Sequence, residues 1–351
     1  MPAVLLAMVL FWMATSLSAQ PFDPSRFVPL AMTVLKVEAP ALNGQMKVGT
    51  AITVAPGVVV TNCHVTRDAV AIRIVKGSGR FAAEGQYADP AHDLCFLSVP
   101  RWPGKPVPFA PSDSISLYQR VVAMGFNRGA AVSLTEGEIT GLHEHDGGRI
   151  IQSTSSFSSG ASGGALLDAE GRLIGVLTFR LRGNLDHYFS MPASWVSSQL
   201  PIPVDRFLPI DAGRVPLAFW EADDCCVPYF MRVGGLQSQG KWHELLRLAD
   251  EWIAADPYNA EAWFARGMAQ ARLRHPGEAA AALMRTVGLA PRHADAWYEL
   301  GAASLAAGDG DTADWARSIL TGLEDGLAGR LAAMIGRERL PEQRRLESPP
   351  D

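Results

Sequence analysis

A serine enclosed by glycines is the residue of this sequence with the clearest chemical potential. It is Ser162, in the segment Gly160-Ala161-Ser162-Gly163-Gly164. Glycine permits backbone angles that other residues avoid and lets a substrate carbonyl come close to main-chain N–H groups. If Ser162 is a nucleophile, the N–H groups of Gly160 and Ser162 would stabilise the developing oxyanion. Taken alone, the pentapeptide is explained equally well as a glycine-rich hairpin turn.

A serine hydroxyl becomes a good nucleophile only when a base removes its proton, normally an imidazole that a carboxylate orients. His64 lies in Thr61-Asn62-Cys63-His64-Val65, where a predicted strand ends, and Asp93 opens the predicted strand Asp93-Leu94-Cys95-Phe96-Leu97. Asp68 and Asp89 are rival acids, but both occupy positions typical of turn residues. We therefore predict His64 as the base, Asp93 as the orienting acid and Ser162 as the nucleophile.

From about residue 48 to residue 192 the chain resembles the chymotrypsin-like, or trypsin-like, serine proteases, which share the order His, Asp, Ser and the closing Gly-x-Ser-Gly-Gly. It is most similar to the periplasmic proteases of the high-temperature-requirement type. The matching segments are the histidine motif, Asp93-Leu94, Leu134-Thr135-Glu136-Gly137-Glu138-Ile139, residues 171–176 and Tyr188-Phe189-Ser190-Met191-Pro192. The resemblance implies an all-β double β-barrel that hydrolyses peptide bonds of proteins or peptides. No PDZ-like sequence follows these segments, so the family's peptide-regulated assembly is not carried over.

The resemblance also suggests a specificity pocket. Ser156 stands where the family places the residue at the base of the primary pocket, and Thr178 and Phe179 would line one wall. Because Ser156 carries no charge, a small or apolar substrate side chain is expected. The alternative to an endopeptidase is a non-catalytic binding or chaperone scaffold on the same fold.

Four cysteines are present, at positions 63, 95, 225 and 226. If the resemblance holds, Cys63 and Cys95 lie near the predicted triad, either as a disulfide or as two buried free thiols. The adjacent Cys225 and Cys226 are expected to pair elsewhere or to be free, because a bridge between neighbours is strained. The cysteine spacing does not match a zinc site. The segment His143-Glu144-His145-Asp146 is interpreted as a solvated hairpin tip, so neither a metal nor another cofactor is expected.

The chain of 351 residues suggests two domains. Many short Val- and Ile-rich runs separated by turn signals, up to about residue 192, predict a β-sandwich or barrel. A net charge of -5 without a dense Lys/Arg stripe argues against nucleic acid as a partner. Residues 1–19 are predicted to be a cleaved signal peptide, with an uncleaved anchor as the alternative. We expect a periplasmic or secreted protein with no membrane span after cleavage.

Residues 22–200 are predicted as the protease domain, the proline-containing residues 201–227 as a linker, and residues 336–351 as a disordered tail. Between them, residues 228–335 repeat Asp256-Pro257, Ala262-Trp263 and Gly267 at a constant offset. They recur as Ala290-Pro291, Ala296-Trp297 and Gly301, an offset of about 34 residues, which is the period of tetratricopeptide helical hairpins. The predicted all-α repeats would bind a protein partner or substrate, or would serve as a structural spacer.

Overall fold

The computed structural model describes residues 24–128, 131–181, 187–210, 215–223 and 227–346. The predicted signal peptide, residues 1–19, and the Cys225-Cys226 pair lie outside these ranges. A short helix, α1 (Pro24–Phe27), opens the described chain.

The first half of the predicted β-domain is a seven-stranded antiparallel sheet in the order β5-β4-β1-β2-β3-β7-β6. One short helix, α2 (Cys63–Thr66), follows β3. The strands are β1 (Val34–Pro40), β2 (Met46–Ala55), β3 (Val58–Asn62), β4 (Arg73–Lys76), β5 (Gly79–Ala82), β6 (Gly85–Asp89) and β7 (Leu94–Ser98).

The second half is a closed six-stranded barrel in the order β10-β13-β12-β11-β8-β9, with β9 and β10 joined by a hairpin. Its strands are β8 (Arg120–Asn127), β9 (Ala131–His145), β10 (Gly148–Ser153), β11 (Ala165–Leu167), β12 (Leu173–Leu181) and β13 (His187–Pro192). Among the described residues the strand pairing closes this second sheet but not the first. The predicted β-barrel domain is therefore present, with one closed barrel.

A helical region follows the strands, as the sequence predicts. Helix α3 (Ala193–Gln199) ends the β-domain. The later helices are α4 (Tyr229–Ser238), α5 (Trp242–Ala255), α6 (Ala260–Arg272), α7 (Pro276–Leu289), α8 (Ala294–Ala306), α9 (Gly310–Leu320) and α10 (Asp325–Leu346). Two tryptophans at equivalent positions make the same contact: Trp263 Nε1 donates to the Pro257 carbonyl at 2.9 Å and Trp297 Nε1 to that of Pro291 at 2.8 Å.

The described structure differs from the prediction at two boundaries. The expected linker, 201–227, packs on the β-domain in its described parts: Leu208 pairs with Gln86 at the free edge of β6, and residues Phe219–Glu221 form a 3-10 turn against the first sheet. The expected disordered tail begins too early, because α10 continues to Leu346. Arg, Glu, Gln and Leu, which dominate residues 337–346, are good helix formers.

One core cluster joins the two sheets and reaches the helical region. Val34 and Phe96 of the first sheet and Met124 and Phe189 of the second are fully buried in it, and Met231 of α4 is buried in the same cluster. Burial of apolar surface contributes roughly 25 cal/mol per Å², so this shared core fixes the two sheets and α4 relative to each other. No helix in the described ranges is long and apolar enough to cross a membrane.

Candidate active site

Strand pairing brings His64 and Asp93 together. Strand β3 runs antiparallel to β7, with Asn62 opposite Leu94. His64 lies in the helix that directly follows β3, and Asp93 directly precedes β7. Asp93 takes a left-handed backbone conformation with φ of 55°, which aspartate tolerates better than most residues. The two side chains therefore meet at the same edge of the sheet.

The Asp93 carboxylate contacts His64 through both oxygens. Its Oδ1 accepts the His64 main-chain N–H at 2.9 Å, and its Oδ2 lies 2.7 Å from His64 Nδ1. Asp93 is fully buried, whereas the His64 side chain is 20% exposed. This geometry places the proton of the neutral imidazole on Nδ1 and leaves Nε2 as a proton acceptor. His64 can then act as a base from its partly exposed side.

Two further features fix the Asp93 main chain. Asn62 Nδ2 donates to the Asp93 carbonyl at 3.0 Å, and the Cys63 N–H donates to the same oxygen at 3.2 Å. Cys63 is also joined to Cys95 by a disulfide, which selects one of the two arrangements that the sequence left open. The covalent bond links the residue before His64 to the strand that follows Asp93.

The glycine-rich loop presents two main-chain N–H groups that have no acceptor among the described residues. The Ser159 carbonyl accepts the Arg128 N–H at 2.7 Å, and the Ala161 carbonyl accepts the Gly164 N–H at 2.8 Å. These bonds orient the peptide groups that carry the N–H of Gly160 and Ser162. Within the described part of the chain neither of these two N–H groups has an acceptor. Such free donors beside a serine are what an oxyanion requires.

Thr50 of β2 holds the same loop from the other sheet. Its Oγ1 donates to the Gly160 carbonyl at 2.7 Å, and its main-chain N–H donates to the Ser162 carbonyl at 2.8 Å. Gly160 has φ of 95° and Gly163 has φ of 87°, in the region that favours glycine. The two sheets thus fix the loop relative to His64 and Asp93, which the first sheet carries.

The Ser162 hydroxyl donates to the Thr178 carbonyl of β12 at 3.2 Å. Within the described ranges no hydrogen bond joins it to His64 Nε2. Catalytic hydrogen bonds are often long or poorly aligned until a substrate binds, and a change of χ1 is enough to redirect a serine hydroxyl.

The rival acids are bound elsewhere. Asp68 pairs with Lys47 and is half exposed. Asp89 Oδ2 lies 2.7 Å from Nδ1 of His92, which also contacts Asp146 at 2.9 Å through Nε2. Of the three candidate acids, Asp68, Asp89 and Asp93, it is Asp93 that contacts the imidazole of His64.

The predicted pocket residues occupy different surroundings. Ser156 is exposed, between the buried Ser155 and Phe157. Thr178 Oγ1 donates to the Val176 carbonyl at 2.8 Å and lies 3.1 Å from Asn62 Nδ2, beneath the triad. Phe179 stacks on the ring of Phe189. Because the side chains of Thr178 and Phe179 are both buried, their role in a pocket wall remains a prediction.

The predicted solvated tip at residues 143–146 needs a correction. The hairpin is present, but His143 is only 7% exposed because Phe230 of α4 stacks on its ring at 4.1 Å and Gln152 contacts its Nε2 at 2.9 Å. In the described ranges no three His, Cys, Asp or Glu side chains are grouped so that they could hold a metal ion.

Comparison with known proteins supports the interpretation of the β-domain. Residues 49–176 match the sequence model of the trypsin-like peptidase domain. This part of the chain therefore resembles a trypsin-like peptidase domain. It contains His64, Asp93 and Ser162, and it spans strands of both sheets.

The chain is 31% identical over 160 residues to the periplasmic serine endoprotease DegP of Salmonella typhimurium, covering 43% of this chain and 34% of DegP. It is 34% identical over 133 residues to the chloroplastic Protease Do-like 1 of Arabidopsis thaliana, covering 35% of this chain and 30% of the relative. The active form of the Rv3671c protease from M. tuberculosis is a solved structure with a TM-score of 0.48 and 22% identity, covering 60% of this chain and 100% of that one. The chain thus spans about a third of the length of the curated relatives it matches.

Three residues of the site were not predicted from the sequence. Asn62 lies inside the histidine motif, so its position next to His64 in that motif could have indicated that it contributes to the site. Thr50 and Trp220 contact the site from a distant strand and from the expected linker, so no local pattern indicated them.

Proposed function

We propose that the chain is an exported serine endopeptidase that hydrolyses peptide bonds of proteins. The observation that carries this proposal is the contact of both Asp93 oxygens with His64, next to a peptidase-type loop with two unpaired N–H groups. Similarity to periplasmic serine endoproteases supports the reaction class and the compartment.

Binding of a peptide is proposed to redirect the Ser162 hydroxyl from the Thr178 carbonyl to His64 Nε2. Ser162 Oγ then attacks the scissile carbonyl carbon while its proton passes to Nε2. The carbonyl oxygen becomes an oxyanion that the N–H groups of Gly160 and Ser162 stabilise. Asp93 holds the imidazolium through Nδ1 without taking up the proton.

Collapse of the tetrahedral intermediate breaks the C–N bond, and His64 transfers its proton to the leaving amine. The acyl group remains on Ser162. Water, deprotonated by His64, attacks this ester and releases the new carboxylate while the proton returns to Ser162. The cycle consumes one peptide bond and one water and leaves the enzyme unchanged.

Substrate preference is proposed to favour small or apolar side chains. Ser156 supplies no negative charge that would pair with a basic residue. The helical region, with helices repeating at the spacing of tetratricopeptide hairpins, is proposed to bind a protein partner or the substrate itself. Periplasmic or secreted location follows from the proposed signal peptide and fits the disulfide.

Cleavage of an unfolded protein such as reduced, alkylated casein tests the proposed activity. The full chain should release new amino termini at a rate proportional to enzyme concentration. Ser162→Ala removes the nucleophile and should lower kcat by about 10⁴-fold or more. Equal rates for the two proteins, or no cleavage by either, would support the alternative of a non-catalytic scaffold.

A further inference from the structure

Residues 215–223 contact the catalytic site although they lie beyond the matched range 49–176. Trp220 Nε1 donates to Asp93 Oδ2 at 3.0 Å. Val215, in the same segment, packs on the disulfide between Cys63 and Cys95. The chain thus returns to the edge of the first sheet after it has completed the barrel.

The buried Asp93 carboxylate has three donors among the described residues. Oδ1 accepts the main-chain N–H of His64, while Oδ2 is shared between His64 Nδ1 and the indole of Trp220. A fully buried carboxylate depends on such donors, because it has lost the water that would otherwise solvate it. Trp220 therefore contributes to the rotational position of the carboxylate as well as to its solvation.

Trp220 is itself held on two sides. Its ring stacks on Phe179 with centroids 4.9 Å apart and meets the His64 ring edge-on at 5.2 Å. Aromatic pairs in these offset and edge-on arrangements are favourable beyond their buried area. The indole therefore has little freedom to turn away from Asp93.

An ion pair anchors the same turn to the helix that carries His64. Both terminal nitrogens of Arg67, at the C-terminal end of α2, donate to the Glu221 carboxylate. Burial acts to raise the pKa of Glu221, but the hydrogen bonds from Arg67 and from the Ala218 N–H outweigh it and hold that pKa below its usual value. Glu221 is therefore ionised near neutral pH, and its pair with Arg67 fixes the neighbouring Trp220.

We propose that Trp220 is a positioning residue for the catalytic pair, so that residues 215–223, which follow the barrel, are an integral part of the active site. This inference rests on the proposed endopeptidase function. The indole N–H holds Asp93 Oδ2 in line with His64 Nδ1, and its ring covers the pair against solvent. The imidazole then keeps its Nε2 directed towards the nucleophile.

Trp220→Phe tests the inference, because phenylalanine keeps an aromatic ring and removes the donor. We expect kcat on a peptide substrate to fall about 10- to 100-fold, as for loss of a hydrogen bond to a charged group, with KM changed less than about threefold. The acid limb of the kcat/KM profile should move to higher pH, because Asp93 then holds the imidazole proton more tightly. The other charged groups near His64 besides Asp93, among them Lys47 with its partner Asp68 and Glu221 with its partner Arg67, are unchanged in this variant.

Trp102→Phe is the matched control. Trp102 belongs to the first sheet's core, and its indole donates to Thr53 Oγ1 at 2.9 Å. The variant therefore also loses an indole hydrogen bond, but one to a neutral hydroxyl away from His64 and Asp93. Thermal unfolding of both variants shows whether each is folded. Similar kcat and pH profiles for Trp220→Phe and Trp102→Phe would overturn the inference.

A second measurement does not depend on turnover. The proton on His64 Nδ1 gives a strongly downfield NMR resonance when it is bound to a carboxylate, and this resonance should shift in Trp220→Phe but not in Trp102→Phe. An unchanged resonance contradicts the inference whether or not the protein cleaves casein. A shifted resonance in a chain that cleaves nothing would support the inference and reject the proposed activity.

Discussion

At the scale of residues, the arrangement depends on a few backbone conformations as much as on the reactive side chains. Gly163 follows the proposed nucleophile and has φ of 87°. A Cβ added there would lie far inside van der Waals contact with the Thr50 carbonyl oxygen and would also collide with Thr61. The obstructing atoms belong to strands β2 and β3, so they have little room to move.

Gly163→Ala is therefore expected to destabilise the protein by about 3 kcal/mol or more and to abolish cleavage. Gly147→Ala is the matched control: Gly147 has φ of 70° at the β9–β10 turn, with open space around its Cα. The control should lose only about 1–2 kcal/mol, the usual cost of a left-handed alanine. Denaturant unfolding measures both, and equal losses would contradict the steric argument.

His64 and Asp93 could be paired from the sequence because each lies at the end of a predicted strand. The two strands pair in the structure and bring the side chains into contact, while the catalytic roles of the two residues stay predictions. The same reasoning could not place Ser156, since exposure of a loop residue depends on how the whole loop folds. The prediction of a solvated tip at residues 143–146 fails at His143, because Phe230, which covers this side chain, lies more than 80 positions away in α4.

At the scale of elements, the disulfide links β7 to the start of α2 across a separation of 32 residues. Closing a loop of this size in the unfolded chain is worth about 2–4 kcal/mol in the chain-entropy account. The free energy of unfolding of the Cys63→Ala/Cys95→Ala variant, measured by denaturant unfolding, should therefore be lower by that amount. A reducing agent should lower the stability of the unaltered protein to a similar extent and leave the variant unchanged. Insensitivity of the unaltered protein would argue against the bridge.

The loop before Asp93 contains a second titratable contact, between His92 and Asp89. The hydrogen bond that the His92 imidazole donates to the Asp89 carboxylate is the largest cause that raises the pKa of His92, and Asp146 acts in the same direction. His145 and Trp195 also lie beside this cluster. Because the folded pKa is the higher one, the stabilisation is fully present below about pH 6.5, the unfolded value, and is lost as pH rises through the folded pKa.

Asp89→Asn should consequently lower Tm at pH 5.5 to 6, with a smaller loss at each step towards pH 9. A series of thermal melts measures this trend. Asp113→Asn, at an exposed position, is the control and should show no such trend. A loss for Asp89→Asn that is constant across the series would show that the ion pair contributes nothing.

The proline-containing residues 201–227 are the part of the chain whose structure differs most from the prediction. Prolines at positions 201, 203, 209 and 216 do exclude long helices and strands, and the described residues form only short 3-10 turns there. Although they lack long regular elements, these residues still pack on the β-domain. Trp220 and Glu221 reach partners more than 120 positions earlier, and no local pattern encodes such contacts.

At the scale of the whole molecule, the helical region is attached to the barrel through α4. Phe230 stacks on His143 and lies 5.3 Å from the ring of Phe189, while Met231 joins the main core. The repeat spacing was readable from the sequence because equivalent tryptophans recur at one offset. The packing of α4 on the barrel was not readable, because it depends on Phe230 and Met231, which lie outside the repeated positions.

Phe230→Ala should reduce the free energy of unfolding by about 1–3 kcal/mol. Phe230 is half-buried, and the variant loses the contacts of this ring with His143 and Phe189. Tyr258→Ala removes a ring that is 78% exposed in the same helical region and should change stability by less than about 0.5 kcal/mol. Denaturant unfolding compares them. Equal effects would mean that α4 does not stabilise the β-domain.

Stoichiometric labelling with a fluorophosphonate tests most directly whether Ser162 is an activated nucleophile. The reagent reacts with a serine whose hydroxyl has a base and an oxyanion site beside it, so intact-mass spectrometry should show one adduct per chain, with fragmentation placing it on Ser162. Ser162→Ala should take up none, and His64→Ala should react far more slowly. An unlabelled native chain, or an adduct that persists in Ser162→Ala, would contradict the account.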